Sequence, residues 1–117
     1  MVGFSDGGGA AALLAAMRQD VAFLGTVAGN LDIDAWADLQ GVSQLAESLN
    51  PTAEAPSLQH LPQRHLSSRT DATMPPEISE GFCRAVNQPE SCVVVSGVPH
   101  GGAWQRYWDY NYSVRGR

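Results

Sequence analysis

Apolar residues recur at helical spacing in two well-defined stretches of the chain. Residues 10–17 are strong helix formers and are apolar on nearly every side, which is typical of a helix beneath a sheet rather than on a surface. Ile78, Phe82 and Val86 lie four residues apart and give a second helix one apolar face. Pro76 is suited to the first turn of that helix.

Weaker patterns predict two more helices. One is short and contains Ile33, Trp36 and Leu39, within a looser apolar pattern that extends to Leu45. The other has an aromatic face, because its aromatic residues recur every four positions. They are Trp104, Trp108 and Tyr112.

Short apolar runs, bounded by turn residues, predict the strands. The predicted strands cover residues 21–29, 63–67 and 92–95. The last is the clearest, because it contains three successive β-branched valines. Only Met1 and Val2 precede Gly3, so a strand there is a stub compared with the usual length of about five or six residues. A turn-rich connection is predicted from Asn50 to Pro56.

Helices and strands alternate along the chain, which predicts an α/β fold: a short parallel sheet with flanking helices. The length of 117 residues fits one domain at most, here residues 1–117. Three short strands make a narrow sheet with an exposed edge, which could pair with another copy of the chain.

Composition narrows the classes of function. The chain has 7 basic and 12 acidic residues, a net charge of −5, and no basic cluster, which argues against nucleic acid and anionic membranes as partners. No apolar run approaches the roughly 20 residues of a membrane span. No signal peptide is visible, which leaves cytoplasmic as the default localisation.

The most specific motif is Gly3-Phe4-Ser5-Asp6-Gly7, a G-x-S-x-G pattern between a strand stub and a helix. A strand that turns sharply into a helix lifts its corner residue clear of the sheet, and the two glycines let the backbones pass closely. The helix start aims free N–H groups at that corner. Ser5 is therefore a candidate nucleophile, with a serine-containing glycine turn that caps the helix as the alternative.

Asp71 and His100 follow the next predicted strands, so that the chain order is serine, acid, histidine. Functional groups of open parallel sheets gather at the carboxyl ends of the strands. This order predicts a catalytic triad in which Ser5 attacks an acyl carbon, His100 transfers its proton and Asp71 orients the imidazole. Taken singly, Asp71 could instead cap its own loop and His100 could be a solvated loop residue.

These motifs resemble those of the α/β-hydrolases. The run from Gly3 to Gly8 resembles their nucleophile elbow, Arg69-Thr70-Asp71 with Met74-Pro75 their acid loop, and Val98-Pro99-His100 with Trp104 their histidine loop. Residues 26–32 and 48–51 are similar to a bacterial subgroup of generic hydrolases. The acid loop departs from the family pattern at Ser68, where glycine is common.

The resemblance implies the C-terminal half of an α/β-hydrolase fold, a serine hydrolase of the esterase or lipase kind that acts on a small acyl substrate without cofactor or metal. The backbone N–H of Asp6 would be one oxyanion donor. The N-terminal strands and the loop with the second donor would be missing. A truncated enzyme of this kind is expected to be weakly active alone, because the loss of one donor costs about a hundredfold to a thousandfold in turnover.

Several other residues have alternative interpretations. Asp32 is the second choice for the triad acid, and the carboxylate of Asp6 is expected to favour the helix N-terminus. His60 and His65 lack the spacing of metal ligands, so local hydrogen bonding is expected. Cys83 and Cys92 are expected to be buried thiols. The aromatic set is expected to pack in the core or to cover an exposed face, with an acyl pocket as the alternative. Its members are Trp104, Tyr107, Trp108, Tyr110 and Tyr112.

Two other classes of function compete with a hydrolase. The glycine-rich helix start could cradle an anion, although it lacks the glycine spacing of known phosphate loops. Alternatively, the chain could be a non-catalytic interaction fragment that pairs through its sheet edge.

Overall fold

The structure is a computed structural model, which describes residues 1–41, 49–105 and 107–108. Within these residues the strands are β1 (Val2–Phe4), β2 (Leu24–Val27), β3 (Gln63–Ser68) and β4 (Cys92–Val95). The α-helices are α1 (Asp6–Met17), α2 (Ile33–Gln40) and α3 (Pro76–Ala85). Two 3-10 helices, Pro51–Leu58 and Pro89–Ser91, complete the described elements.

The four strands form one parallel sheet in the order β1-β2-β3-β4. Thr26 pairs with Gly3 on one side and with His65 on the other, and His65 pairs with Cys92. Because every strand runs in the same direction, all four carboxyl ends lie along one edge of the sheet. The predicted α/β architecture, a short parallel sheet with flanking helices, is confirmed.

The beginning of the chain differs from the prediction in two ways. The stub is a true strand, since β1 pairs with β2 through three residues, so the sheet has four strands rather than three. Helix α1 begins at Asp6 rather than at residue 10, so the glycines that were expected to form a turn are its first turns. Gly8 and Gly9 are buried there, because a helix without side chains at these positions can lie directly against the backbone that follows β2.

Two apolar clusters lie within the fold. The first joins the alanines of α1 to the 3-10 helix Pro51–Leu58 and to the second half of α3. Leu24 and Phe82 are completely buried in it. The second cluster lies where the strands end and includes Val27, Met74 and Trp104. On the other side of α1, Leu14 and Met17 are exposed, so this apolar helix is only partly covered.

Cys83 and Cys92 form a disulfide bond, so the prediction of two separate thiols is wrong. Cys83 lies on α3 and Cys92 opens β4, and the Cα atoms of the two residues are 6.1 Å apart, because the helix packs against the sheet at this point. The bond ties edge strand β4 to its covering helix.

Some residues of the loose apolar pattern, of the stretch 48–51 and of the aromatic set lie outside the described residues. These are Leu45, Ser48, Tyr110 and Tyr112. The final aromatic segment is described through Trp108, where the carbonyl of Trp104 accepts hydrogen bonds from the N–H groups of Tyr107 and Trp108. Of the helices in the described ranges, none has the length and apolar character that a membrane span requires.

His65 lies completely buried in the middle of the sheet, hydrogen bonded on both ring nitrogens. The side-chain nitrogen of Gln63 donates to the carbonyls of Leu58 and Leu61, so the oxygen of Gln63 is left to accept from Nε2 of His65, at 2.9 Å. Nδ1 is then the acceptor for the hydroxyl of Thr26, at 2.7 Å. The expected local hydrogen bonding fits the neutral ring, and burial lowers the pKa of His65 to about 3.

Replacing both Cys83 and Cys92 by serine is expected to reduce the free energy of unfolding by about 2–3 kcal/mol, the loop-entropy contribution of a bridge with sequence separation 9. Chemical denaturation of the oxidised wild type and of the double variant measures the difference. The wild type under a reducing agent should match the variant. Equal stability of oxidised wild type and variant would contradict the prediction.

The buried His65 should make the fold acid-sensitive. Between pH 6.5 and about 3 the unfolded chain binds a proton on this ring that the folded chain does not, so stability falls as the pH falls. The slope is at most about 1.4 kcal/mol per pH unit. His65→Gln should flatten the dependence of unfolding free energy on pH in that range. His60→Gln, at an exposed position, is the control and should leave the wild-type slope.

Candidate active site

Ser5 stands at the corner between β1 and α1 in a backbone conformation that side chains rarely adopt, with φ 54° and ψ −123°. Its N–H donates to the carbonyl of Val27 at 3.0 Å, while its own carbonyl accepts from Gly8 at 2.9 Å and from Asn30 at 3.1 Å. Such a conformation costs on the order of 1–3 kcal/mol and persists only where neighbours fix it. Here the end of β2 and the first turn of α1 do so.

The glycines around the corner have different roles. A Cβ on Gly3 would overlap the carbonyl of Gly7, so Gly3 allows the chain to fold back on itself. Gly8 faces the Cα of Gly29, 2.9 Å from where a Cβ would stand, and Gly9 faces the carbonyl of Asn30 in the same way. A Cβ on Gly7 would meet nothing within 4 Å, so the close approach expected at the second glycine of the motif falls instead on Gly8 and Gly9.

Ser5, His100 and Asp71 form a continuous chain of hydrogen bonds. Oγ of Ser5 is 3.0 Å from Nε2 of His100, and Nδ1 of His100 is 2.8 Å from Oδ2 of Asp71. The carboxylate side chain is 0% exposed and the imidazole 22%. An ionised carboxylate can only accept, so Nδ1 carries the proton and Nε2 is free to accept from the serine hydroxyl.

The buried carboxylate of Asp71 has donors on both oxygens. Oδ1 accepts the N–H groups of Thr73 at 2.9 Å and Met74 at 2.8 Å, and Oδ2 faces His100. Loop capping and contact with the imidazole therefore occur on the same side chain, since one oxygen caps the loop and the other faces the imidazole. Three donors offset the cost of burying the charge and fix the direction of the second oxygen.

His100 has two aromatic neighbours. The ring of Phe4, the residue before Ser5, lies with its centroid 5.2 Å from that of the imidazole. The indole N–H of Trp104 donates to the backbone carbonyl of His100 at 2.9 Å. Trp104 belongs to the histidine-loop pattern and to the aromatic set, but neither pattern predicts this hydrogen bond.

Asp6 begins α1, so its backbone N–H has no acceptor within the helix and is available beside Ser5. Its exposed carboxylate lies in the first helical turn, as expected. Asp32, the second choice for the triad acid, has another role: it caps α2 by accepting from the N–H of Ala35 at 3.2 Å and from the side chain of Asn50 at 3.0 Å. Among the described residues, no group of acidic, histidine or cysteine side chains could hold a metal ion.

An apolar groove of about 300 Å³ lies beside β1. Phe4, Val27, Trp104 and Trp108 are among its lining residues, whereas Ser5 and His100 are not. Trp104 is only 7% exposed and belongs to the second cluster. The described aromatic residues of the final segment thus contribute to the core, and their outer surface borders the groove.

Comparison with solved structures identifies the fold. A puromycin hydrolase matches 86% of the chain with 22% identity and a TM-score of 0.70. A Klebsiella pneumoniae protein assigned as a dienelactone hydrolase matches 92% with 22% identity and a TM-score of 0.64. An esterase from Pyrococcus furiosus matches 98% with 17% identity and a TM-score of 0.66. No family model and no curated protein matches the sequence.

The chain therefore has part of the α/β-hydrolase fold. It spans 18% of the puromycin hydrolase chain, 41% of the Klebsiella protein and 50% of the esterase. At these identities the likeness concerns the fold, and the chemistry depends on the residues of this chain.

Gly3→Ala is expected to destabilise the protein and to move Ser5, because its Cβ would overlap the backbone of Gly7. Gly7→Ala is the matched variant: it has open space and a helical position, where alanine is favoured over glycine by up to about 1 kcal/mol. Thermal unfolding of the two variants should therefore shift in opposite directions. A Gly3→Ala protein as stable as Gly7→Ala would contradict the described corner.

Proposed function

We propose that this chain is the part of a serine hydrolase that carries its nucleophile, base and acid, and that it acts by acyl transfer on small acyl substrates, as an esterase does. The observation that carries the proposal is the hydrogen-bonded series from Oγ of Ser5 through both nitrogens of His100 to Asp71, at 3.0 and 2.8 Å. The fold supports it, since the similar structures are hydrolases.

The chemistry follows from the direction of the hydrogen bonds. Oγ of Ser5 attacks the acyl carbon while Nε2 of His100 accepts the hydroxyl proton. The imidazolium then protonates the leaving group, so that an acyl-serine and a free alcohol or amine result. Water, deprotonated by Nε2, then attacks the acyl carbon. The bond to Oγ breaks, the acid is released, and the imidazolium returns a proton to Ser5. Asp71 stabilises the imidazolium and keeps its Nδ1 proton in place throughout.

The charge that develops on the substrate oxygen needs donors at the same corner. The N–H of Asp6 is one, and the N-terminal end of α1 adds a favourable dipole. A second donor is expected from a loop of the kind that precedes the elbow in the family. Loss of one such donor would slow turnover by about a hundredfold to a thousandfold.

The comparisons do not narrow the substrate further. The similar structures are a puromycin hydrolase, a protein assigned as a dienelactone hydrolase and an esterase, which share the fold without sharing one substrate. We therefore propose acyl transfer without naming one acyl substrate.

One observation favours a second candidate, an interaction fragment that self-associates through its sheet edge. Val2 is 58% exposed and Phe4 47% on edge strand β1, and an exposed apolar edge is prone to pair with another chain. The anion-binding alternative is weaker, because Asp6 places a carboxylate in the first turn of α1.

An activity-directed fluorophosphonate tests the proposal, because it modifies only an activated serine. We expect the wild type to be labelled and Ser5→Ala not to be. Asp71→Asn should slow the labelling by about ten-thousand-fold, since the imidazole would lose its orienting carboxylate.

Ser96→Ala is the matched control, a serine-to-alanine change at an exposed loop position, and should be labelled like the wild type. Labelling that persists in Ser5→Ala would overturn the assignment. An unlabelled wild type that forms concentration-dependent dimers in sedimentation would favour the interaction fragment instead.

A further inference from the structure

The segment that carries His100 is largely exposed. It leaves β4 through Ser96 and Gly97, where the backbone has a positive φ of 81°, and Pro99 and Gly101 are exposed as well. A short turn, closed by a hydrogen bond from the N–H of Gly102 to the carbonyl of Pro99 at 2.8 Å, surrounds the histidine. An exposed loop of this kind does not by itself fix an imidazole to within a few tenths of an ångström.

A buried side chain holds the backbone of His100 from below. The indole N–H of Trp104 donates to the His100 carbonyl at 2.9 Å, and Trp104 is 7% exposed. An indole has this single donor and a large rigid ring, so a buried tryptophan fixes the position of whatever accepts its hydrogen bond.

The cluster around Trp104 includes a direct neighbour of each site residue. Val27 accepts the N–H of Ser5, and Met74 donates its N–H to Asp71. Val98 lies two residues before His100 in the same cluster and is 4% exposed. The corner at Ser5, the loop of Asp71 and the loop of His100 therefore all contact the same buried apolar cluster.

We propose that Trp104 is a positioning residue, which holds the imidazole of His100 in register with both Ser5 and Asp71 through its hydrogen bond to the His100 carbonyl. The inference rests on the proposed function, because it concerns the same site. It adds a residue that acts on the base through the backbone carbonyl of His100.

The geometry explains why such a tether matters. Nε2 must stay near 3.0 Å from Ser5 while Nδ1 stays near 2.8 Å from Asp71, so a displacement of the loop lengthens at least one of the two contacts. Phe4 limits motion on the side of the ring, with centroids 5.2 Å apart, but does not hold the backbone. Small misplacements of a reacting group are costly in rate.

Trp104→Phe tests the proposal, since it keeps an aromatic ring in the cluster and removes the donor. In fluorophosphonate labelling of the whole chain, we expect the maximal rate of inactivation to fall by about twofold to tenfold, the range for one hydrogen bond. The concentration of reagent that gives half-maximal rate should be unchanged, because phenylalanine keeps an aromatic ring beside the groove and only the N–H donated to the His100 carbonyl is lost.

Trp108→Phe is the matched control, the same substitution at a half-buried position of the same segment. Because Trp108 borders the apolar groove, it is compared with Trp104→Phe through an NMR signal and the unfolding midpoint rather than through labelling. A readout that needs no activity is the proton NMR signal of the Nδ1 proton shared between His100 and Asp71. It should be sharp in the wild type and in Trp108→Phe, and exchange-broadened in Trp104→Phe.

The possible outcomes separate the two hypotheses. If the wild type is not labelled at all, the proposed function fails, and the NMR signal still decides the role of Trp104. If Trp104→Phe keeps both the wild-type inactivation rate and a sharp Nδ1 signal, the positioning role is wrong. A thermal unfolding midpoint that drops equally in both tryptophan variants, with no difference in the NMR signal between them, would likewise reduce Trp104 to a packing residue.

Discussion

The hydrogen bond between Oγ of Ser5 and Nε2 of His100 joins residues 95 positions apart in the sequence, and the rest of the site depends on it. It exists because the strands are parallel, so that the segments after β1, β3 and β4 leave the sheet along one edge. An antiparallel arrangement of neighbouring strands would place successive strand ends on opposite edges. The parallel direction of the strands, rather than any local motif, therefore determines whether these three side chains meet.

The hydrogen bonds to the buried carboxylate of Asp71 fix the direction in which each of its oxygens accepts. Burial of an ionised group is costly unless hydrogen bonds replace water. Two backbone donors from its own loop and the imidazole supply them, and since the two loop donors occupy Oδ1, Oδ2 can face only His100. The same loop-capping geometry that would make Asp71 a structural residue in isolation makes it an oriented acceptor once His100 is opposite. Asp32 resembles it locally but caps α2.

Prediction from the sequence succeeds for features that a local pattern determines. It fails for features that depend on contacts between distant segments. β4 was predicted with its observed ends, because three valines between turns leave little choice, and the apolar period of α3 was equally clear. The predicted start of α1 was wrong, because glycines disfavour a helix in isolation. In the structure, Gly8 and Gly9 allow the helix to contact the backbone after β2. The disulfide was missed, since spacing alone does not reveal that Cys83 packs over the start of β4. For the site, strand ends indicated Ser5, Asp71 and His100, but the indole hydrogen bond of Trp104 depends on how the last segment folds back.

The two outer strands of the sheet, β1 and β4, differ in how firmly they are held, and this difference affects the site. β4 is tied to α3 by a disulfide, and β3 lies between two neighbours, so the segments that carry Asp71 and His100 leave well-anchored strands. β1 has three residues and one neighbour, and its side chains Val2 and Phe4 are exposed. Short strands with one neighbour open at a lower free energy than strands with two. Opening of β1 would therefore remove Ser5 from the imidazole while the pair of His100 and Asp71 stayed intact. Whatever covers the β1 edge thus stabilises the position of the proposed nucleophile more than that of its partners.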